Sequence, residues 1–97
     1  MIRAIHYPDR ASFLAARIAG SFYVPPIGPG DVATMMFICP CGCGARCVIT
    51  VGNGATPKHV RPSWKWNGST SVITLEPSLI QPCDWHGFLR DGYWEAV

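Results

Sequence analysis

The sequence predicts a mostly β fold, a small α+β domain of antiparallel strands and hairpins with one short N-terminal helix. Three observations predict it. Short runs rich in β-branched and aromatic residues recur between Gly, Pro, Asn and Asp clusters. Two dipeptides, Asn67-Gly68 and Asp91-Gly92, are strong turn signals beside such runs. Four of the five cysteines fall within the nine residues Cys39 to Cys47, on a Gly-rich stretch that suits the tip of a hairpin.

The elements follow in chain order. Asp9 can cap a helix over Arg10 to Ile18, with Phe13, Leu14 and Ile18 as its apolar face and Gly20 as its stop. Phe22-Tyr23-Val24 is a short extended piece. Pro25, Pro26, Gly28, Pro29 and Gly30 then impose an irregular loop. Met35 to Ile38 runs into the cysteine cluster and Cys47 to Val51 leaves it, as the two arms of a hairpin. A loop runs from Gly52 to Pro62. Trp64-Lys65-Trp66 alternates apolar and polar. Val72 to Leu75 is a strand that Glu76-Pro77 is expected to end. Phe88 to Arg90 and Tyr93 to Glu95 flank Asp91-Gly92 as a final hairpin.

Ninety-seven residues make one domain, here taken as residues 1–97. A chain this short buries a small core, so a metal clip would add useful stability. The hydrophobic share of 48% against 14% charged residues excludes a disordered chain. A net charge of +2 without a basic run argues against nucleic-acid binding, which needs a dense Lys/Arg patch. No stretch approaches the roughly 20 apolar residues of a membrane span. The first residues also lack the features of a signal peptide. A cytoplasmic protein without membrane or nucleic-acid partners is therefore expected. In that reducing compartment clustered cysteines serve as metal ligands more often than as bridges.

Cys39-x-Cys41-x-Cys43 is too tightly spaced for unstrained disulfides but suits thiolates converging on one zinc ion. Cys83, in Cys83-Asp84-Trp85-His86, can complete the shell. Cys39, Cys41, Cys43 and Cys83 form a Cys₄ set. Two knuckle thiolates with Cys83 and His86 form the alternative Cys₃His or related set, and zinc accepts either. Cys47, at the start of a strand, reads as a buried small apolar residue. An iron–sulfur centre of the Rieske kind needs two histidines on one iron, and only one of its two boxes has a match here. The Cys-x-x-Cys of thiol–disulfide exchange is absent.

Cys39-Pro-Cys-Gly-Cys-Gly44, Trp64, Thr74-Leu-Glu-Pro-Ser-Leu79 and Cys83-Asp-Trp-His-Gly-Phe-Leu-Arg-Asp-Gly-Tyr-Trp94, taken as an ordered set, are similar to a family of short bacterial and phage proteins. Some of its members sit in bacterial ubiquitin-like conjugation operons of the Bub type. The resemblance spans roughly residues 22 to 94. It implies a serine peptidase that matures or removes a ubiquitin-like protein, with that protein or its C-terminal tail as partner.

Acyl transfer by such a peptidase needs a hydroxyl nucleophile with a base in hydrogen-bond reach. Ser78, where the chain is expected to turn after Pro77, is the candidate nucleophile, and His86 the candidate base. Asp84, Asp91 or a backbone carbonyl can orient the imidazole. The N–H groups near Leu79 and Ile80 can form an oxyanion hole. In this arrangement zinc is structural and held by four cysteines. The competing reading is a non-catalytic zinc-binding interaction module, with His86 on the metal and Ser78 capping the backbone. A metal-dependent hydrolase with an open coordination position is a third. Trp64, Trp66, Trp85 and Trp94 are expected in the core or around the metal, with one or two lining a groove for an extended peptide. His6 and His59, and the basic residues Lys58, Arg61 and Lys65, read as structural or solvated.

Overall fold

The computed structural model describes residues 2–81 and 83–97. Among these, nine strands and one helix follow in the order β1 (Ile2–Arg3), β2 (Ile5–His6), α1 (Arg10–Ala16), β3 (Ser21–Tyr23), β4 (Val32–Ile38), β5 (Arg46–Asn53), β6 (Trp64–Trp66), β7 (Leu75–Ile80), β8 (His86–Arg90) and β9 (Tyr93–Ala96). All nine strands join one sheet, in the order β1-β9-β8-β7-β6-β5-β4-β3-β2. Only Ala4 separates the two outermost strands in the chain. Ile2 pairs with Trp94 on β9 and Ile5 with Ser21 on β3, so residues 2 to 6 close the sheet into a barrel. The Ala4 and Ile5 N–H groups donate to the Gly92 and Gly20 carbonyls at 2.8 and 3.3 Å, carrying the ladder across the join.

Alternation sends one side chain in two into the barrel. Phe22, Met35, Phe37, Val51, Leu75, Leu79, Leu89 and Trp94 are buried there. Phe37 and Trp94 pack with ring centroids 4.9 Å apart, and the Trp94 indole N–H is satisfied by the Gly20 carbonyl at 2.9 Å. Six of the eight strand pairings are antiparallel, as the hairpin pattern predicts, while β2–β3 and β5–β6 are parallel.

The helix is capped by the Asp9 carboxylate, which accepts from the Ser12 N–H at 2.9 Å; this bond also holds the carboxyl below its ordinary value. It ends two residues earlier than expected, at Arg17 with φ 48°. Of its anticipated apolar face only Phe13 is buried, while Ile18 lies past the helix end and is exposed. The β4–β5 hairpin with the cysteine cluster at its tip is as anticipated, although β5 runs on to Asn53. The β8–β9 hairpin turns on Asp91 and Gly92, at φ 51° and 84°.

The expected strand from Val72 to Leu75 is displaced. Residues 72–74 are irregular, and Ile73 is buried without belonging to a strand. The strand is Leu75–Ile80, and it passes through Pro77 instead of stopping there. Its register against β8 shifts between Leu75 and Leu79. A bulge of this kind is where a strand tolerates a residue without an N–H. Ser78 therefore lies within a strand and not at a turn after one.

Candidate functional site

The thiol cluster is built by two hairpin tips. The chain between β4 and β5 folds tightly, with the Cys39 N–H on the Ala45 carbonyl at 2.9 Å and the Gly42 N–H on the Cys39 carbonyl at 3.3 Å. Gly42 and Gly44 take φ of 90° and 81°, a region closed to most side chains, which explains the Cys-Gly-Cys-Gly pattern. The second tip, between β7 and β8, brings up Cys83. Its turn is fixed by the Asp84 N–H on the Gln81 carbonyl at 2.9 Å.

The sulfurs of Cys39, Cys41, Cys43 and Cys83 all lie within 4.8 Å of one another. Cys39, Cys41 and Cys83 are mutually 3.2 Å apart, and all five cysteines are free thiols. Four thiolates bound tetrahedrally at about 2.3 Å would sit about 3.8 Å apart, inside that range. The donor set thus fits a metal ion, and it is the Cys₄ set. Its electrostatics suit a cation. The Cys83 thiol is held down to about 7 by a hydrogen bond from Cys41, then by the Trp85 backbone N–H and Cys39. Burial pushes the Cys39 thiol well up, so metal binding would have to displace its proton. Cys47 stands apart, buried at the start of β5 with its thiol pushed up to about 11 by burial.

His86 is not part of the cluster. It opens β8, paired with Ile80 across the ladder, and its Nε2 lies 3.0 Å from the Ser78 Oγ. Ser78 and His86 are diagonal neighbours across β7 and β8, a spacing at which side chains on one face of a sheet meet. The Ser78 carbonyl accepts the Trp64 indole N–H at 3.2 Å. This Trp64 contact joins two segments 14 residues apart and has no sequence signal beyond the aromatic itself.

Other expected contributors are placed differently. Asp91 lies at the far end of β8, five residues and roughly 17 Å of extended chain from His86. Its backbone N–H is bonded to the Thr74 hydroxyl at 3.0 Å. Asp84 sits in the Cys83 turn at φ 67° without a hydrogen bond to the imidazole. Among the described residues Ser78 is the one side chain bonded to His86, so the arrangement is a dyad. The Gln81 N–H donates to the Trp85 carbonyl at 2.8 Å, which fixes the alternation of the β7–β8 ladder. Leu79 then directs its N–H into the ladder, and Ile80 directs its N–H away from β8. Trp66 and Trp94 are core residues, and Trp85 packs edge-on against Trp94 at 5.8 Å. His6 packs on Phe22 and His59 is exposed in a loop.

A hydroxyl in hydrogen-bond contact with an imidazole is the pairing that serine hydrolases use for nucleophilic catalysis. The family model described as bacterial ubiquitination-like system serine protease (BubE) matches residues 8–97, and the chain belongs to that family. No curated protein and no solved structure matches the chain. Among the described residues no helix is long and apolar enough to cross a membrane.

Proposed function

We propose that the chain is a serine peptidase that matures or removes a bacterial ubiquitin-like protein, with Ser78 as nucleophile, His86 as general base, and a structural zinc ion on Cys39, Cys41, Cys43 and Cys83. One observation carries the catalytic assignment: the 3.0 Å contact between the His86 Nε2 and the Ser78 Oγ.

In the mechanism, the Ser78 Oγ attacks the carbonyl carbon at the end of the partner's tail while the unprotonated Nε2 of His86 takes the hydroxyl proton. The carbonyl π pair moves onto oxygen, where the outward N–H of Ile80 is the donor we assign to it. The intermediate collapses with cleavage of the bond to the leaving amine or alkoxide, and His86 returns the proton to that group. Water then repeats the sequence on the acyl-enzyme, with His86 again as base, and restores Ser78. Zinc held by Cys39, Cys41, Cys43 and Cys83 would supply no chemical step and would clasp the two hairpin tips together.

A non-catalytic zinc module would place His86 on the metal and tie the Ser78 hydroxyl to backbone. The engagement of His86 by Ser78, outside a four-cysteine cluster, supports the peptidase instead. The test is Ser78→Ala, which should lower cleavage of a ubiquitin-like precursor by at least about a thousandfold with metal content unchanged. Undiminished cleavage would sink the assignment.

A further inference from the structure

The barrel wall has an opening beside Ser78. The short strand β6 joins β5 to β7, but it pairs with β5 only from Val51 and with β7 only at Leu75 and Glu76. Beyond β6, the first half of β5 and the last half of β7 face each other with no strand between them. Among the described residues no Cα of β5 lies within 8 Å of a Cα of β7. Two strand spacings are about 9.6 Å, so a gap wider than 8 Å is compatible with one added strand.

Both walls of this slot direct backbone groups into it. The Cys39 N–H to Ala45 carbonyl and Asn53 N–H to Asp31 carbonyl bonds, each 2.9 Å, mark residues 45 and 53 as hydrogen-bonded positions of the β4–β5 ladder. By alternation Arg46 and Val48 point their N–H and C=O groups away from β4, into the slot. On the opposite wall Ile80 points its groups away from β8 by the same rule, and the Trp64 indole reaches the Ser78 carbonyl from that side. The space is a cavity of about 520 Å³ lined by Arg46, Val48, Val60, Arg61, Trp64 and Ile80, among others. Val48 is 55% exposed and Ile80 71%, so both offer apolar surface to a ligand in the slot. Neither Arg46 nor Arg61 has an ion-pair partner among the described residues, where the one ion pair joins Lys65 to Glu76.

We propose that the slot takes an extended tail segment of the protein substrate as an added strand, between β5 and β7. Its backbone pairs with Arg46 and Val48, its apolar side chains lie against Val48, Trp64 and Ile80, and an acidic side chain meets Arg46 and Arg61. A folded partner surface cannot enter, because only a single unpaired strand offers backbone groups to both walls. A strand seated there runs along the edge of β7 that carries the Ser78 carbonyl, so the slot selects unfolded tails over folded domains. This inference rests on the peptidase reading for its choice of occupant.

The test uses the zinc-loaded protein and two probes. One is a synthetic decapeptide copying the C-terminal tail of a Bub-system ubiquitin-like protein, and the other is p-nitrophenyl acetate, too small to need the slot. Val48→Pro removes a slot-facing N–H without touching the β4 ladder, a position where an edge strand tolerates proline. It should weaken decapeptide binding by roughly fivefold to tenfold, with acetate hydrolysis and metal content kept. A decapeptide methylated on alternate backbone nitrogens, so that one of its two edges is blocked, should lose binding to unmodified protein similarly and cannot misfold the protein. On binding, amide exchange should slow at Arg46, Val48 and Ile80. Equal binding of methylated and plain peptides, or unchanged exchange at those amides, overturns the slot even if Ser78 proves catalytic. Conversely, Ser78→Ala that still cleaves but binds the decapeptide at the slot removes the catalytic reading and leaves the slot standing.

Discussion

Cys47 and Cys83 carry the same side chain in opposite settings. Cys47 lies in the core at 8% exposure, where burial keeps its thiol protonated. Cys83 is exposed, touches two other sulfurs at 3.2 Å, and is held down to about 7. Cys83→Ser should therefore lose the metal, measured as bound metal per chain. Cys47→Ala should keep it at a stability cost of about 1 kcal/mol. Loss of metal from both would move Cys47 into the ligand set. At the same scale, Trp64→Phe keeps an aromatic ring but removes the indole N–H that holds the Ser78 carbonyl. One such bond contributes about 1 kcal/mol, so precursor cleavage should fall roughly fivefold while the fold persists. Rates equal to the unmodified protein would show that Trp64 has no positioning role.

Between β8 and β9 the limiting feature is Gly87. A Cβ there would run into the Glu95 carbonyl and come within 2.7 Å of the Trp85 ring. Gly87→Ala should cost about 1–3 kcal/mol by overpacking, read as a lowered thermal midpoint, and should also disturb His86 beside it. Elements with strong local turn chemistry were legible in the sequence. Asp91-Gly92 announced the last hairpin, and the Cys-Gly tip announced β4 and β5. The Ser78–His86 contact and the four-thiol cluster were legible as residue types at suggestive spacing. β7 was misplaced because Val72-Ile73-Thr74 has strand-like composition but folds irregularly, with Ile73 filling the core. Pro77 then looked like a terminator because its tolerance depends on a bulge that composition does not encode. The slot was invisible for a related reason: it arises from how short β6 is relative to its neighbours, which is a property of pairing and not of any segment. Arg61, read as solvated, lines it.

Across the whole molecule, the thiol cluster ties the β4–β5 tip to the β7–β8 tip at the end of the barrel that β6 does not reach. The metal would thus set the spacing of the two walls. Chelation should lower the thermal midpoint and speed amide exchange in residues 46–50 and 78–81 ahead of the rest of the barrel. Reloading should release protons, since Cys39 must give up its own. A chelated protein with an unchanged midpoint and exchange pattern would place the stability elsewhere.

The join at residues 2 to 6 has a consequence for how the protein folds. Ile2 pairs with Trp94, so β1 has no partner until β9 is in place. Cys39, Cys41 and Cys43 wait likewise for Cys83. The β4–β5 hairpin can form by itself, but the thiol cluster cannot close without Cys83, nor the barrel without β9. Closure thus rests on contacts between segments far apart in the sequence, the kind that form late and slow folding.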